Sequence, residues 1–161
     1  MGLRKLSRTV RVTLTISSRL NNEITEYITR TQKFSNYPDF ASFAVQYFAQ
    51  QFIYEIAPLV ANELQKRKED GTQLEKLEFK SEYGDDNETT QATLAIGAIT
   101  QLNTYQTMFN QLDVGNMLVF SIEYAYKSLI LRENAVTKYL LNVPDDTVWH
   151  KPIIKFKELK K

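Results

Sequence analysis

The chain is 161 residues long, 43% hydrophobic and of formal net charge +1, figures that suit one ordinary folded domain or two very small ones and exclude disorder as the default state. It has no cysteine and a single histidine, His150, which removes a disulfide framework, a thiolate nucleophile and any cysteine or histidine metal cluster. No apolar run approaches the roughly 20 residues that span a bilayer, and Met1-Gly2-Leu3-Arg4-Lys5 leads into a strand rather than a signal-peptide core, so a cytosolic protein with no membrane contact is expected.

The first element is an alternating strand, Thr9-Val10-Arg11-Val12-Thr13-Leu14-Thr15-Ile16. A period of two puts Val10, Val12, Leu14 and Ile16 on one face and Thr9, Arg11, Thr13 and Thr15 on the other. Ser17 or Ser18 then caps a helix that presents Leu20, Ile24, Tyr27, Ile28 and Thr31 at helical spacing and ends near Lys33. The turn Ser35-Asn36-Tyr37-Pro38-Asp39 opens a second helix, with Ser35 or Asn36 as cap and Pro38 at its start, where a missing N–H costs nothing. That helix carries Phe40, Phe43, Ala44, Tyr47, Phe48, Phe52 and Ile56, a stripe broader than one helix pair buries. The surplus calls for a partner, either a second chain or a second copy of the same pattern later in this one.

Residues 57–87 read as a charged helical linker. A solvated helix runs to Gly71, Leu74, Leu77 and Phe79 form a short packed segment, and Gly84-Asp85-Asp86-Asn87 is the joint. Beyond it Thr90-Gln91-Ala92-Thr93-Leu94-Ala95-Ile96 repeats the alternation, with Thr90, Ala92, Leu94 and Ile96 inward and Gln91, Thr93 and Ala95 outward, so that Ile96 matches Ile16. The next helix carries Tyr105, Met108 and Phe109, Gly115-Asn116 supplies a break, and a long helix offers Leu118, Ile122, Ala125, Tyr126, Leu129 and Ile130. Residues 135–141 suggest one more helix ending before Pro144, and residues 148–156 an extended apolar and basic strip around Trp149.

The pattern of strand, capped helix, Ser/Asn turn and second helix resembles the ribbon-helix-helix family of DNA-binding regulators. The matching residues are Arg11-Val12-Thr13-Leu14-Thr15-Ile16, the first helix over 20–28, and Ser35-Asn36-Tyr37-Pro38-Asp39-Phe40. The repeat resembles the double ribbon-helix-helix transcription regulators of filamentous viruses infecting hot-acid archaea, and the compartment would then be the host cytosol. The fold class expected is mainly α with short β-ribbons. Two tandem ribbon-helix-helix (β-α-α) units, over 8–56 and a divergent 88–132, flank the linker, and a C-terminal helix and basic tail fill 133–161.

The resemblance implies an antiparallel ribbon lying in the major groove of double-stranded DNA. Arg11, Thr13 and Thr15 would contact bases, the arginine fork suiting the two acceptors of guanine. Gln91 and Thr93 would do so from the second copy, whereas Ala95 offers only a methyl. Ser35, Asn36 and Tyr37 would set a helix start against a phosphate, and Arg4, Lys5, Arg8 and Arg19 are further phosphate contacts. Glu88 and Asp85-Asp86 would repel the backbone. The second strand either pairs with the first within one chain or belongs to a dimerisation and spacing module. Partners implied are DNA, a second copy of the chain and, for an activator, the transcription machinery; covering a promoter would instead repress.

Most other features read as structure. The aromatic stripe has the spacing of a core or dimer interface rather than of exposed base-stacking rings, Trp149 reads as a packing anchor and His150 as a surface residue. Lys66-Arg67-Lys68, followed by Glu69-Asp70, reads as a solvated helix face. No Gly-rich phosphate loop, serine elbow or cysteine nucleophile is present, so no enzyme activity, cofactor or metal is expected. Two rivals remain: a partition protein coating repeated DNA sites, and an antitoxin-like module whose ribbon faces a protein.

Overall fold

The computed structural model describes residues 8–71, 76–84, 86–141 and 152–158. Strand β1 (Thr9–Ser17) leads into helices α1 (Ser18–Thr31) and α2 (Tyr37–Gln51). A π-helical turn (Phe52–Ile56) joins α2 to α3 (Ala57–Glu69), and strand β2 (Asn87–Ala95) leads into α4 (Ile96–Met108) and α5 (Val114–Leu140). The expectations placed on Arg4, Lys5, Leu74, Asp85, Trp149 and His150 lie outside the described residues.

The expected architecture of two tandem β-α-α units with their own ribbons is overturned. Among the described residues there is one two-stranded antiparallel sheet, β1 with β2, and a single strand precedes the helix-rich stretch that runs up to β2. A lone strand leaves its backbone groups unpaired, so each strand takes the other as its partner. The ribbon in turn cannot stand by itself in water, and its inner residues Leu14, Ile16, Ala92 and Leu94 are buried in a core common to all the helices.

Local chemistry explains the element ends. Ser17 caps α1 by accepting from the Leu20 N–H, and Gln32, in the left-handed conformation at φ 54°, closes the helix before Lys33. The Asn36 side chain caps α2 by accepting from the Asp39 N–H at 2.9 Å. The break before α5 is made by Asp113, whose carboxylate accepts from the Asn116 N–H at 2.9 Å; Gly115 and Asn116, expected to form the break, belong to the first turn of α5. Ile96, expected as an inward strand residue, opens α4 and is 40% exposed.

The helical rod from α2 to α3 passes through Pro58, which donates no N–H and whose ring would strike the carbonyl of Tyr54. The chain widens by one residue there. The Ala57 N–H reaches back five positions to the Phe52 carbonyl, a π-type turn that accommodates the proline without ending the rod.

Helix α5 is the central element. From Met117 to Ser128 it is buried on nearly every side, the polar Ser121, Glu123 and Ser128 included, and it continues unbroken to Leu140 through the residues expected to form a separate helix over 135–141. The α2 stripe packs on it within the same chain. Phe48 meets Phe120 and Tyr124 with ring centroids 6.1 and 5.7 Å apart, and Phe52 stacks on Tyr105 of α4 at 4.2 Å and 8°. The Tyr105 hydroxyl donates to the Ala49 carbonyl at 2.8 Å. Met108, expected beside Tyr105 on one face, is instead 54% exposed; the inward residues of α4 are Ala98, Leu102 and Tyr105.

Residues 76–84 are held to α5 by side chains. The buried Glu123 accepts from the Ser81 hydroxyl and the Glu82 N–H and pairs with Lys127 at 3.1 Å. Lys127 in turn pairs with Glu82 at 2.8 Å, and this hydrogen bond holds the Glu82 carboxyl below the usual carboxylate range. Phe79 stacks on Phe120 and bridges Phe156, which brings the 152–158 segment back onto the core.

Candidate nucleic-acid interface

The register of the ribbon determines what its outer face displays. Arg11 lies opposite Thr93, Thr13 opposite Gln91 and Thr15 opposite Thr89, with Thr9 opposite Ala95. Val10, Val12, Leu14 and Ile16 alternate with these on the helix-facing side, paired with Leu94, Ala92, Thr90 and Glu88; Leu14 and Ile16 are buried, Val12 is partly buried and Val10 is exposed. Arg11, Thr13, Thr15, Gln91 and Thr93, chosen from two distant parts of the sequence, therefore converge on one exposed surface. Thr9 and Thr89 lie on it as well. Thr89 escapes a reading of the sequence in which the alternation starts at Thr90, because β2 begins three residues sooner, at Asn87.

The two ends of the ribbon are tied down in the same way. The Arg8 carbonyl accepts from the Ile96 N–H at 3.1 Å, and the Asp86 carbonyl accepts from the Ser18 N–H at 2.8 Å. Each strand's lead-in thus satisfies the first amide of the helix that follows the other strand. This fixes the ribbon against the starts of α1 and α4.

Around the face, the expected phosphate contacts divide. Arg8 is exposed beside the start of β1. Arg19 has a side chain 71% exposed, and its guanidinium lies 3.5 Å from Glu23 and 5.1 Å from the Tyr83 ring centroid. An exposed pair of that kind is weak and leaves the arginine available to an anion. Ser35 is exposed, and Asn36 spends its carbonyl oxygen on the α2 cap. Tyr37 is engaged within the protein instead. Its hydroxyl donates to Asn21 Oδ1, and Asn21 Nδ2 donates to Glu88 Oε1 at 3.0 Å. Burial, with Glu88 nearby, pushes the Tyr37 phenol well above its ordinary value. Tyr37 is accordingly a link between α2, α1 and β2.

The same chain of hydrogen bonds changes the reading of Glu88. It stands opposite Ile16 in the helix-facing row and is engaged by Asn21, so Glu88, although exposed, does not belong to the outward row of the ribbon. Arg11 is the one charged residue among the outward positions of the paired strands. The surface it belongs to is otherwise hydroxyls, the carboxamides of Gln91 at its centre and Asn87 at its margin, and the Ala95 methyl. These groups accept, donate or make apolar contact without net charge.

Among the described residues no group of His, Asp and Glu is arranged to hold a metal ion, and no helix is long and apolar enough to cross a membrane. No family model, curated protein or solved structure matches the chain.

Proposed function

We propose that the protein is a sequence-specific double-stranded DNA-binding regulator of transcription that lays the β1–β2 ribbon in the major groove. One observation carries this reading: the paired strands bring Arg11, Thr13, Thr15, Gln91 and Thr93 onto a single exposed face. The major groove, about 12 Å wide, admits a two-stranded ribbon, and its base edges offer the matching chemistry. Arginine forks onto the O6 and N7 of guanine, glutamine pairs with the N6 and N7 of adenine, and threonine takes an acceptor or the thymine methyl.

Arg8 and Arg19 supply the phosphate contacts that set register and carry no sequence information. Ribbon-helix-helix regulators read DNA with a ribbon, and the resemblance of residues 11–16 and 35–40 to that family supports the proposal independently of charge. Because both strands come from one chain, the reading face needs no second copy.

The test is binding of the purified protein to a pool of random duplexes, with sequencing of the bound fraction across a salt series. The proposal expects a short enriched motif and strong salt sensitivity. Absence of any enriched motif would reject it and favour a ribbon that docks on another protein.

A further inference from the structure

Both strands have 9 residues. Matched end to end, Thr9 corresponds to Asn87, Arg11 to Thr89, Thr13 to Gln91, Thr15 to Thr93 and Ser17 to Ala95. Thr13 and Gln91 are also the residues that face each other. A pair that is at once corresponding and opposite marks a local twofold axis, perpendicular to the ribbon and passing between the two. The backbone obeys this axis beyond the strands, since the Arg8-to-Ile96 and Asp86-to-Ser18 hydrogen bonds exchange under it.

The outward side chains do not obey it. The axis carries Thr15 onto Thr93, which are alike, but it carries Arg11 onto Thr89 and Thr13 onto Gln91. Among the outward positions of the paired strands, the one guanidinium and the central carboxamide therefore have no symmetric counterparts. From this we infer that one chain reads a non-palindromic DNA site in a single orientation, with Arg11 taking a guanine on one flank of the axis, Gln91 taking an adenine next to the centre, and Thr89 leaving the opposite flank without a guanine requirement. This rests on the DNA-reading role proposed above. Its chemistry follows from the code of the groove: the bidentate arginine contact discriminates roughly 5- to 150-fold against a wrong base, whereas a threonine hydroxyl accepts several.

The twofold backbone also supplies the test, because restoring the missing arginine requires one exposed substitution. Thr89→Arg sits at the position the axis relates to Arg11, on the outer face, and Arg11→Thr makes that pair alike in the other direction while leaving Thr13 and Gln91 unlike. Motifs would be selected from random duplexes for the wild-type chain and both variants, and the number of chains bound per motif measured by light scattering on the selected duplex. Expected are a wild-type motif with guanine required on one flank, one chain per motif, a second guanine in mirrored position for Thr89→Arg, and loss of the guanine for Arg11→Thr. A palindromic wild-type motif, or two chains on each motif, would overturn the inference while leaving DNA reading intact. Selection of no motif by the wild-type chain would overturn both. Should Thr89→Arg fail to fold, the wild-type motif and Arg11→Thr still decide the matter.

Discussion

Thr13 and Gln91 face each other across the ribbon, although a whole helical layer separates them in the chain. Around this pair the outward residues of β1 and β2 form one surface, held from behind by Leu14, Ile16, Ala92 and Leu94. A residue on that surface can be changed without touching the core, which makes its role separable from stability.

Arg11→Ala is expected to weaken binding to the preferred duplex by about 1–3 kcal/mol and to leave binding to unrelated duplexes far less affected. The side chain is exposed, so thermal denaturation of the variant should match the wild type. Fluorescence anisotropy with preferred and scrambled duplexes measures the first quantity. Equal losses on both would assign Arg11 to the phosphate backbone instead.

Arg8→Ala should act differently. A phosphate contact contributes to all sequences alike, so affinity should fall uniformly and the slope of log K against log salt should shallow by about 0.9. A change confined to one sequence would move Arg8 to the base-reading group.

In the core, the stacked Phe52 and Tyr105 rings and the Tyr105 hydroxyl on Ala49 can be dissected separately. Phe52→Ala should cost about 3–5 kcal/mol in a denaturant titration, as expected for an emptied aromatic site. Tyr105→Phe keeps the stack and loses one hydrogen bond, a cost of about 1 kcal/mol. A larger cost for Tyr105→Phe than for Phe52→Ala would contradict this packing.

Burial raises the phenol pKa of Tyr27, Tyr37, Tyr83, Tyr105, Tyr124 and Tyr126. For an acid held neutral in the fold, the folded state keeps its proton where the unfolded state has lost it. The stabilisation is complete below the unfolded value of about 10 and declines as pH rises beyond it. Unfolding free energy should therefore fall steadily as pH rises above about 10, with the tyrosinate absorbance of these six residues appearing at equilibrium only as the protein unfolds. Full tyrosinate absorbance in a still-folded protein would refute the assignment.

Much of the face is legible without the fold, because a period of two is written into Thr9 to Ile16 and again from Thr90 onward. The pairing of those strands within one chain stands in the sequence only as one of two alternatives, since nothing in either strand names a partner so remote in sequence. The continuity of α2 and α3 is hidden by Pro58, which ordinarily ends a helix and here is absorbed by a widened turn. Tyr37 misleads for a related reason: its place at a helix start suits a phosphate contact, yet its hydroxyl is taken by Asn21 of α1, a tertiary contact no local pattern reveals. The long α5 reads as two helices because the charged residues near Arg132 resemble an end, although no glycine or proline interrupts the helix after Gly115.

The most direct test of the ribbon's placement is methylation interference on the selected duplex. Methylation of guanine N7 blocks an acceptor in the major groove, whereas methylation of adenine N3 blocks one in the minor groove. With the ribbon in the major groove, a guanine N7 methyl within the motif should abolish binding of the wild-type chain, the same methyl should have no further effect on Arg11→Ala, and adenine N3 methyls should be tolerated. Interference at adenine N3 alone, or a guanine effect of the same size in Arg11→Ala, would contradict that placement.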